Sequence, residues 1–371
     1  MYPLNYLTFD SLQEGVGASQ ALSYVLKIAE HRHIRLISFE KTEPPKELRE
    51  LLASNKVDWI QLEFGKFGVF GGLYRVVRMS NQIEKNSIVH ARGNLAAISA
   101  LFRFPHKWIW DCRSMHADQR RSISSGLKSR VIYVIMRVFE LMLAKFSSRI
   151  IVITDAVKTE FVSRYRIPIG KMEMISTCVD TTKFAKHRLP SLEPAVRILL
   201  SGTFGPAYDL ILTNKIIIEL QKRLPVHITV AASIGATSSW RDVPYDEYIS
   251  VPHENMPELI AKSHLGFSIL RNDLGVSLKS VASTKTAEFL SSGRPTFVNS
   301  NQGDFKKLFD AYEIGVVTEG WDEKSVSGYV DEMINLLADM ATPDKCRRVA
   351  EENFSLDDGI TKLLKIYSEL D

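Results

Sequence analysis

The sequence predicts an α/β chain of two doubly wound, parallel-sheet domains. Three observations carry that expectation. Short β-rich runs alternate with helical patterns along nearly the whole chain, a charged stretch with two prolines divides it near the middle, and glycine-bearing loops follow several β runs. Strands alternating with helices favour parallel sheets covered by helices on both faces. At 371 residues the chain is long for one core and comfortable for two.

In the first half, β runs are expected at residues 4–9, 34–39, 59–62, 88–90, 108–111 and 150–153. Residues 183–194, with Pro190 and Pro194, read as a linker. Strand-like runs resume at residues 198–201, 227–231, 265–270, 296–298 and 315–317. Two such sheets put a cleft at the strand C-termini of both halves, where α/β proteins bind ligands. The chain has no internal repeat and no low-complexity segment.

Apolar residues make up 45% and charged residues 24%, as expected of a soluble globular protein. No apolar run approaches the roughly 20 residues that span a bilayer. Residues 1–5 offer no basic or long apolar leader, so a signal peptide is not expected. The three cysteines, Cys112, Cys178 and Cys346, have no metal-ligand spacing and leave one unpaired, which suits a reducing cytoplasm.

The net charge of +4 is unevenly spread. Arg103, Lys107, Arg120, Arg121, Lys128, Arg130, Arg137 and Lys145 crowd one stretch, interleaved with Phe102, Phe104, Trp108, Tyr133 and Phe139. Basic plus aromatic suits an anionic membrane surface or a solvated basic rim. No RNP-like, helix-turn-helix or zinc-knuckle pattern accompanies it, so no nucleic-acid partner is expected.

The loops at strand ends are where chemistry is expected. After Phe9-Asp10, the segment Gly15-Val16-Gly17-Ala18-Ser19-Gln20 leads into an amphipathic helix with Leu22, Val25, Leu26 and Ala29 inward. Its glycines let backbone approach a ligand, although a plain strand-to-helix turn fits as well. It lacks the third glycine of a dinucleotide fingerprint. His90, Arg92, Asp111 and Arg113 lie at two further strand ends, suited to phosphate or sugar hydroxyls, or to a structural Asp111/Arg113 ion network.

In the second half, Ser201-Gly202-Thr203-Phe204-Gly205 precedes a helix expected near Asp209. Small residues before a helix N-terminus suit a diphosphate. A polar loop with Lys279, Ser283, Thr284 and Lys285 then runs into a helix bearing Glu288. That helix is expected to stop at Ser292-Gly293, with Pro295 opening a β run and Gly303-Asp304 following. Lys285 and Glu288 are three apart and share a helix face. One cation for a diphosphate and one carboxylate for a ribose diol would grip a nucleotide. The plain alternative is an exposed Lys/Glu pair on a helix capped by Thr284.

Taken together, these residues resemble the GT-B-fold glycosyltransferases of the large family-4-like group, over the whole chain. Gly17-Ala18-Ser19-Gln20, residues 36–41, His90-Ala91-Arg92, Trp110-Asp111-Cys112-Arg113, Val138-Phe139-Glu140 and Ile151-Val152-Ile153-Thr154 look like one branch of that group. So do Val179-Asp180 with Phe184, Ser201-Gly202-Thr203 with Tyr208, residues 283–290, Gly303-Asp304, Asn353-Phe354-Ser355 and the final helix through Leu363, Leu364 and Tyr367. The resemblance implies two Rossmann-like domains facing across a cleft: residues 1–185 for the acceptor, 186–355 for the donor, and 356–371 crossing back to the first.

It further implies sugar transfer from a nucleotide-diphosphate sugar to a hydroxyl acceptor, with retention, in cell-surface polysaccharide or glycolipid biosynthesis. Donor contacts are expected at Gly202, Thr203, Ser283, Thr284, Lys285, Glu288, Gly303 and Asp304, with Glu288 on the ribose and Lys285 on the diphosphate. Gly17, Gln20, His90 and Arg92 are expected at the acceptor, and Asp111, Arg113 and Lys285 at the chemistry. Neither metal nor cofactor is implied, because cationic side chains and helix dipoles stabilise the leaving diphosphate. The acceptor is expected to be a glycan or lipid-linked glycan, and the protein cytoplasmic or peripheral at the inner membrane face.

The chain departs from the common family pattern in three places. Ser280 stands where a Glu-x7-Glu pair would put its first carboxylate, Phe204-Gly205-Pro206-Ala207 replaces the usual basic residues, and Asp111/Arg113 stand about where many relatives carry a histidine. Lys279, Lys285 or Arg271 would then supply the positive charge. A nucleotide-sugar epimerase of the same fold and a non-catalytic nucleotide-sugar or glycan-binding partner are the alternatives.

Overall fold

The computed structural model describes residues 2–65, 71–124, 126–202, 205–232 and 243–371. It divides into two units, one of Met1–Ser176 with Leu356–Asp371 and one of Thr177–Ser355.

The first unit holds β1 (Leu4–Thr8), β2 (Ile34–Glu40), β3 (Val57–Glu63), β4 (Ile88–Arg92), β5 (Lys107–Cys112), β6 (Arg149–Val152) and β7 (Met172–Met174). All neighbours pair in parallel, in the order β3-β2-β1-β4-β5-β6-β7. Every residue of β1 and β4 is buried, as central parallel strands covered on both faces must be. The β3 strand, at the edge, mixes buried and exposed positions. Connecting helices are α1 (Leu22–Ala29), α2 (Lys46–Ser54), α3 (Gly71–Gln82), α4 (Asn94–Arg103), α5 (His116–Ile123), α6 (Leu127–Phe146) and α7 (Asp155–Tyr165). In the core, Trp110 stacks on Phe161 with centroids 5.4 Å apart.

The second unit holds β8 (Val196–Ser201), β9 (Val226–Ala231), β10 (Glu247–Ile249), β11 (Leu265–Ser268), β12 (Thr296–Asn299) and β13 (Gly315–Thr318), all parallel in the order β10-β9-β8-β11-β12-β13. Its helices are α8 (Leu210–Gln221), α9 (Met256–Lys262), α10 (Thr284–Ser291), α11 (Phe305–Tyr312), α12 (Glu323–Ala338) and α13 (Thr342–Phe354). Phe267 stacks on Phe297 at 4.6 Å. Gly266 makes room for Phe289, since a β-carbon there would lie 2.5 Å from the ring. The last helix, α14 (Leu356–Leu370), belongs to the first unit and buries Ile360, Leu363, Ile366 and Tyr367 there.

Both sheets reverse their strand order once, between β1 and β4 and between β8 and β11. Side chains just beyond the C-terminal ends of those strand pairs therefore line the ligand crevice of a doubly wound sheet. The charged stretch 183–194 packs on the second unit. Buried Arg294 donates to the carbonyls of His187 (2.9 Å) and Arg188 (3.2 Å), and burial pushes its pKa down to about 10.

Three local differences from the sequence reading have physical causes. Strands β7 and β10 have only three residues each, too short to show a period. The inward face of α1 is Tyr24, Val25, Ile28 and Ala29 instead of one including Leu22 and Leu26. A π-helical turn at Gly17–Ala21 precedes it, and the residue that such a turn inserts rotates the buried face.

Candidate functional site

In the second unit the site grows from the ends of β8 and β11. Gly202 leaves β8 with φ +101°, a region that L side chains rarely adopt. A β-carbon at that position would fall 2.5 Å from Cε and 2.6 Å from Nζ of Lys285. The Lys285 side chain therefore lies directly against the Gly202 backbone. Its ammonium donates to the Tyr208 hydroxyl at 2.7 Å and sits 4.3 Å from the Tyr208 ring centroid.

Lys285 is in the first turn of α10, whose N-cap is Ser283 and not Thr284. The Ser283 hydroxyl accepts from Thr286 N at 3.3 Å and receives a hydrogen bond from Ser268 Oγ at 2.9 Å. Thr284 and Lys285 are half-buried. One turn on, Glu288 is buried at 4% exposure, so the reading of an exposed Lys/Glu pair does not hold. Its Oε1 lies 2.8 Å from Nε2 of His253. The Glu288 hydrogen bond raises the His253 pKa above the ordinary 6.5, against the opposing effect of burial.

His253 went unnoticed in the sequence. It lies on a short 3-10 turn, His253–Asn255, and 35 residues of chain separate it from Glu288. Only its place just beyond a short edge strand could have pointed to it. Gly303 adopts φ +54°, with its N–H on the Leu278 carbonyl at 2.9 Å, and Asp304 stands at the N-terminal end of α11. Thr203, named with the donor residues, lies outside the described residues, as does Phe204. A cavity of about 560 Å³ is walled by Tyr208, Asp209, Arg271, Asp273 and Trp321, with Arg271 Nε donating to Asp273 at 3.0 Å.

In the first unit, strand register assembles the cluster. Tyr6 pairs with His90, Thr8 with Arg92, and Arg92 with Asp111, so Tyr6, His90, Arg92 and Asp111 share one face of the sheet. Asp111 is wholly buried, 3.2 Å from His90 Nε2, 3.5 Å from Arg92 Nη1 and 2.9 Å from Arg113 Nε. Burial alone would raise its pKa. Arg113, then His90 and Arg92, outweigh burial and hold the carboxyl well below the usual range. His90 is pushed below its ordinary value by burial, and its Nδ1 lies 2.6 Å from the Tyr367 hydroxyl of α14. Both guanidinium groups approach the Tyr24 ring, at 5.5 Å for Arg92 and 5.3 Å for Arg113.

Asp111 and His90 are wholly buried, and Asp111 forms an ion network with Arg92 and Arg113. Arg113, with its side chain 16% exposed, is the edge of the cluster that solvent reaches. Gly17 opens the π-helical turn because nothing larger fits: a β-carbon there would lie 1.8 Å from the Ser11 carbonyl oxygen. Gln20 is buried in the same turn. The loop before it is held by Glu40, which accepts from Ser11 Oγ at 2.6 Å and Leu12 N at 3.2 Å. Among the described residues no three His, Cys, Asp or Glu side chains converge as metal ligands would.

No protein-family model and no curated protein sequence matches the chain. Solved structures do. Anabaena Alr3699/HepE in complex with UDP and glucose is 13% identical, covering 99% of this chain and 100% of its own at a TM-score of 0.69. Sucrose-phosphate synthase from Thermosynechococcus elongatus is 11% identical, with coverage of 100% and 99% and a TM-score of 0.69. WaaG, a glycosyltransferase involved in lipopolysaccharide biosynthesis, is 13% identical, with coverage of 98% and 99% and a TM-score of 0.67. At such identities the likeness concerns architecture, and it extends from end to end. With two doubly wound parallel sheets and a final helix returning to the first unit, the chain has the GT-B fold.

Proposed function

We propose that this protein is a glycosyltransferase that moves a sugar from a nucleotide-diphosphate sugar to a hydroxyl acceptor, with retention at the anomeric carbon. The observation that carries the reading is Lys285, clamped between the Gly202 backbone and the Tyr208 hydroxyl at the turning point of the second sheet, one helical turn before buried Glu288. A cation beside a positive-φ glycine and the first turn of α10 suits a diphosphate, and a buried carboxylate suits a ribose diol.

In this reading the second unit holds the donor. Glu288 takes the ribose hydroxyls through the oxygen that His253 leaves open. Lys285 and the N–H groups at the start of α10 receive the charge that develops on the leaving diphosphate. The cavity walled by Tyr208, Arg271 and Asp273 suits the transferred sugar, with Arg271 supplying the charge that the departures from the family pattern remove. The first unit holds the acceptor, with Arg113 as its contact and Asp111 as the group that positions Arg113. A carboxyl with a strongly depressed pKa and no exposure is a poor general base. The donor phosphate itself takes the acceptor proton, and neither metal nor cofactor has a part.

The acceptor is a glycan or lipid-linked glycan of cell-surface polysaccharide or glycolipid biosynthesis. Its association with a membrane, in this reading, is peripheral; no helix among the described residues is long and apolar enough to cross one. Thermal shift against UDP, GDP, ADP and CMP and their sugars tests the donor site. UDP comes first, as the ligand bound in one of the similar structures. A ligand at 100 times its Kd adds about 2.7 kcal/mol of stability. One diphosphate should shift the melting point, and Glu288→Ala should abolish the shift. An equal shift in the variant would remove Glu288 from the site.

A further inference from the structure

Helix α6 turns an apolar stripe towards water. Leu127, Val131, Val134, Ile135 and Val138 are 79, 53, 59, 51 and 51% exposed. Their spacing places all five within an arc of roughly 100° on the helix surface. The helix packs inward instead through Glu140, Leu143 and Ala144 at its other end. Phe146 extends the apolar surface beyond the stripe, half exposed, with its ring 5.9 Å from that of exposed Phe104 on the turn after α4. Exposed apolar side chains clustered in this way mark a binding face.

The charges around it say what binds. Lys128 and Arg130 flank the stripe on its two sides, Arg120 and Arg121 lie on the neighbouring α5, and Lys145 precedes Phe146; all five are exposed. The carboxylates of the region are turned inward. Asp118 accepts from Arg164 at 2.7 Å, and Glu140 accepts from Tyr165 at 2.8 Å and Ala117 N at 3.1 Å. Among the described residues no carboxylate pairs with Arg120, Arg121, Lys128, Arg130 or Lys145.

An apolar stripe with cations on both sides is the pattern of a helix lying in the plane of an anionic membrane surface, apolar side chains among the acyl chains and cations among the head groups. A second copy fits poorly, because a two-fold contact would set the two cationic rims against each other. A phosphate backbone fits the rim but leaves the stripe without a partner. We propose that the outer face of α6, continued by Phe104 and Phe146, docks this protein on an anionic lipid bilayer. The inference is independent of the donor-site reading, since it uses no residue of the second unit.

Flotation of the full chain with phosphatidylcholine vesicles, with and without phosphatidylglycerol, at low and high salt, tests it. Two double variants accompany the wild type: Val134→Asp with Val138→Asp, and Lys128→Gln with Arg130→Gln. All four positions are exposed, and circular dichroism checks that the variants stay folded. The wild type should float with the anionic vesicles, most strongly at low salt. The charge variant should lose roughly fivefold in partition per cation removed, on the order of twentyfold in all. The apolar variant should lose the binding that survives high salt.

Wild-type protein that stays at the bottom with both vesicles overturns the proposal and hands the face to an acidic-rimmed protein partner. Flotation undiminished in both variants overturns it by placing the contact elsewhere. A lipid-free dimer that the apolar variant dissociates, with no flotation, overturns it in favour of a second copy.

Discussion

At the residue scale the candidate donor site rests on two pairs, Lys285 with Tyr208 and Glu288 with His253. Lys285 and Glu288 were legible in the sequence because residue type and helical spacing are local properties. His253 was not, because only the fold brings it to Glu288. Its raised pKa has a consequence that can be measured. A histidine whose charged form is favoured in the folded state contributes stability that is fully present below its ordinary value of 6.5. That contribution is lost as the pH rises through the raised value. The melting-point gap between wild type and His253→Gln should therefore be widest in mild acid and close towards alkaline pH. A gap constant across that window would mean that the ring acts by packing alone. The same variant should weaken nucleotide binding several-fold by releasing Oε1 of Glu288, which calorimetry would show. The cluster of His90, Arg92, Asp111 and Arg113 illustrates the opposite limit. Its membership was readable from strand ends, but the complete burial of Asp111 was not.

At the scale of elements, the turn from β8 towards α8 and the start of α10 form one device. Gly202 supplies the backbone that Lys285 lies against. Gly202→Ala should cost about 1–3 kcal/mol through backbone strain at φ +101°. It should also push Lys285 off Tyr208, so nucleotide affinity falls together with stability and Lys285→Ala reproduces the affinity loss without the strain. Titration calorimetry and melting of both variants separate the two effects. Unchanged affinity in Gly202→Ala would confine the glycine to a turn-forming role. The element types were legible because parallel strands buried on both faces read as apolar runs between helical periods. Edge strands of three residues and the π-helical turn before α1 were not, since neither writes a period into the sequence.

At the scale of the whole molecule, the chain begins and ends in the same unit. The Tyr367 hydroxyl reaches His90 Nδ1 across 277 residues of sequence, and both groups are buried. Tyr367→Phe keeps the ring and strands the histidine nitrogen, which should cost about 1–3 kcal/mol in denaturant unfolding of the first unit. A chain ending at Ser355 should do worse, losing cooperative unfolding of that unit, because Ile360, Leu363, Ile366 and Tyr367 leave its core together. Cooperative unfolding retained in the truncated chain would make α14 dispensable to the first core. The sequence by itself determined the alternation of strands and helices, the two sheets, and the residue types waiting at their C-terminal ends, because periodicity and turn chemistry act over a few residues. Only the tertiary structure decided that His253 holds Glu288, that Asp111 is sealed among three cationic or imidazole partners, and that α6 turns its apolar stripe outward. Those outcomes depend on which surfaces meet, and that follows from strand register and packing between segments distant in the chain.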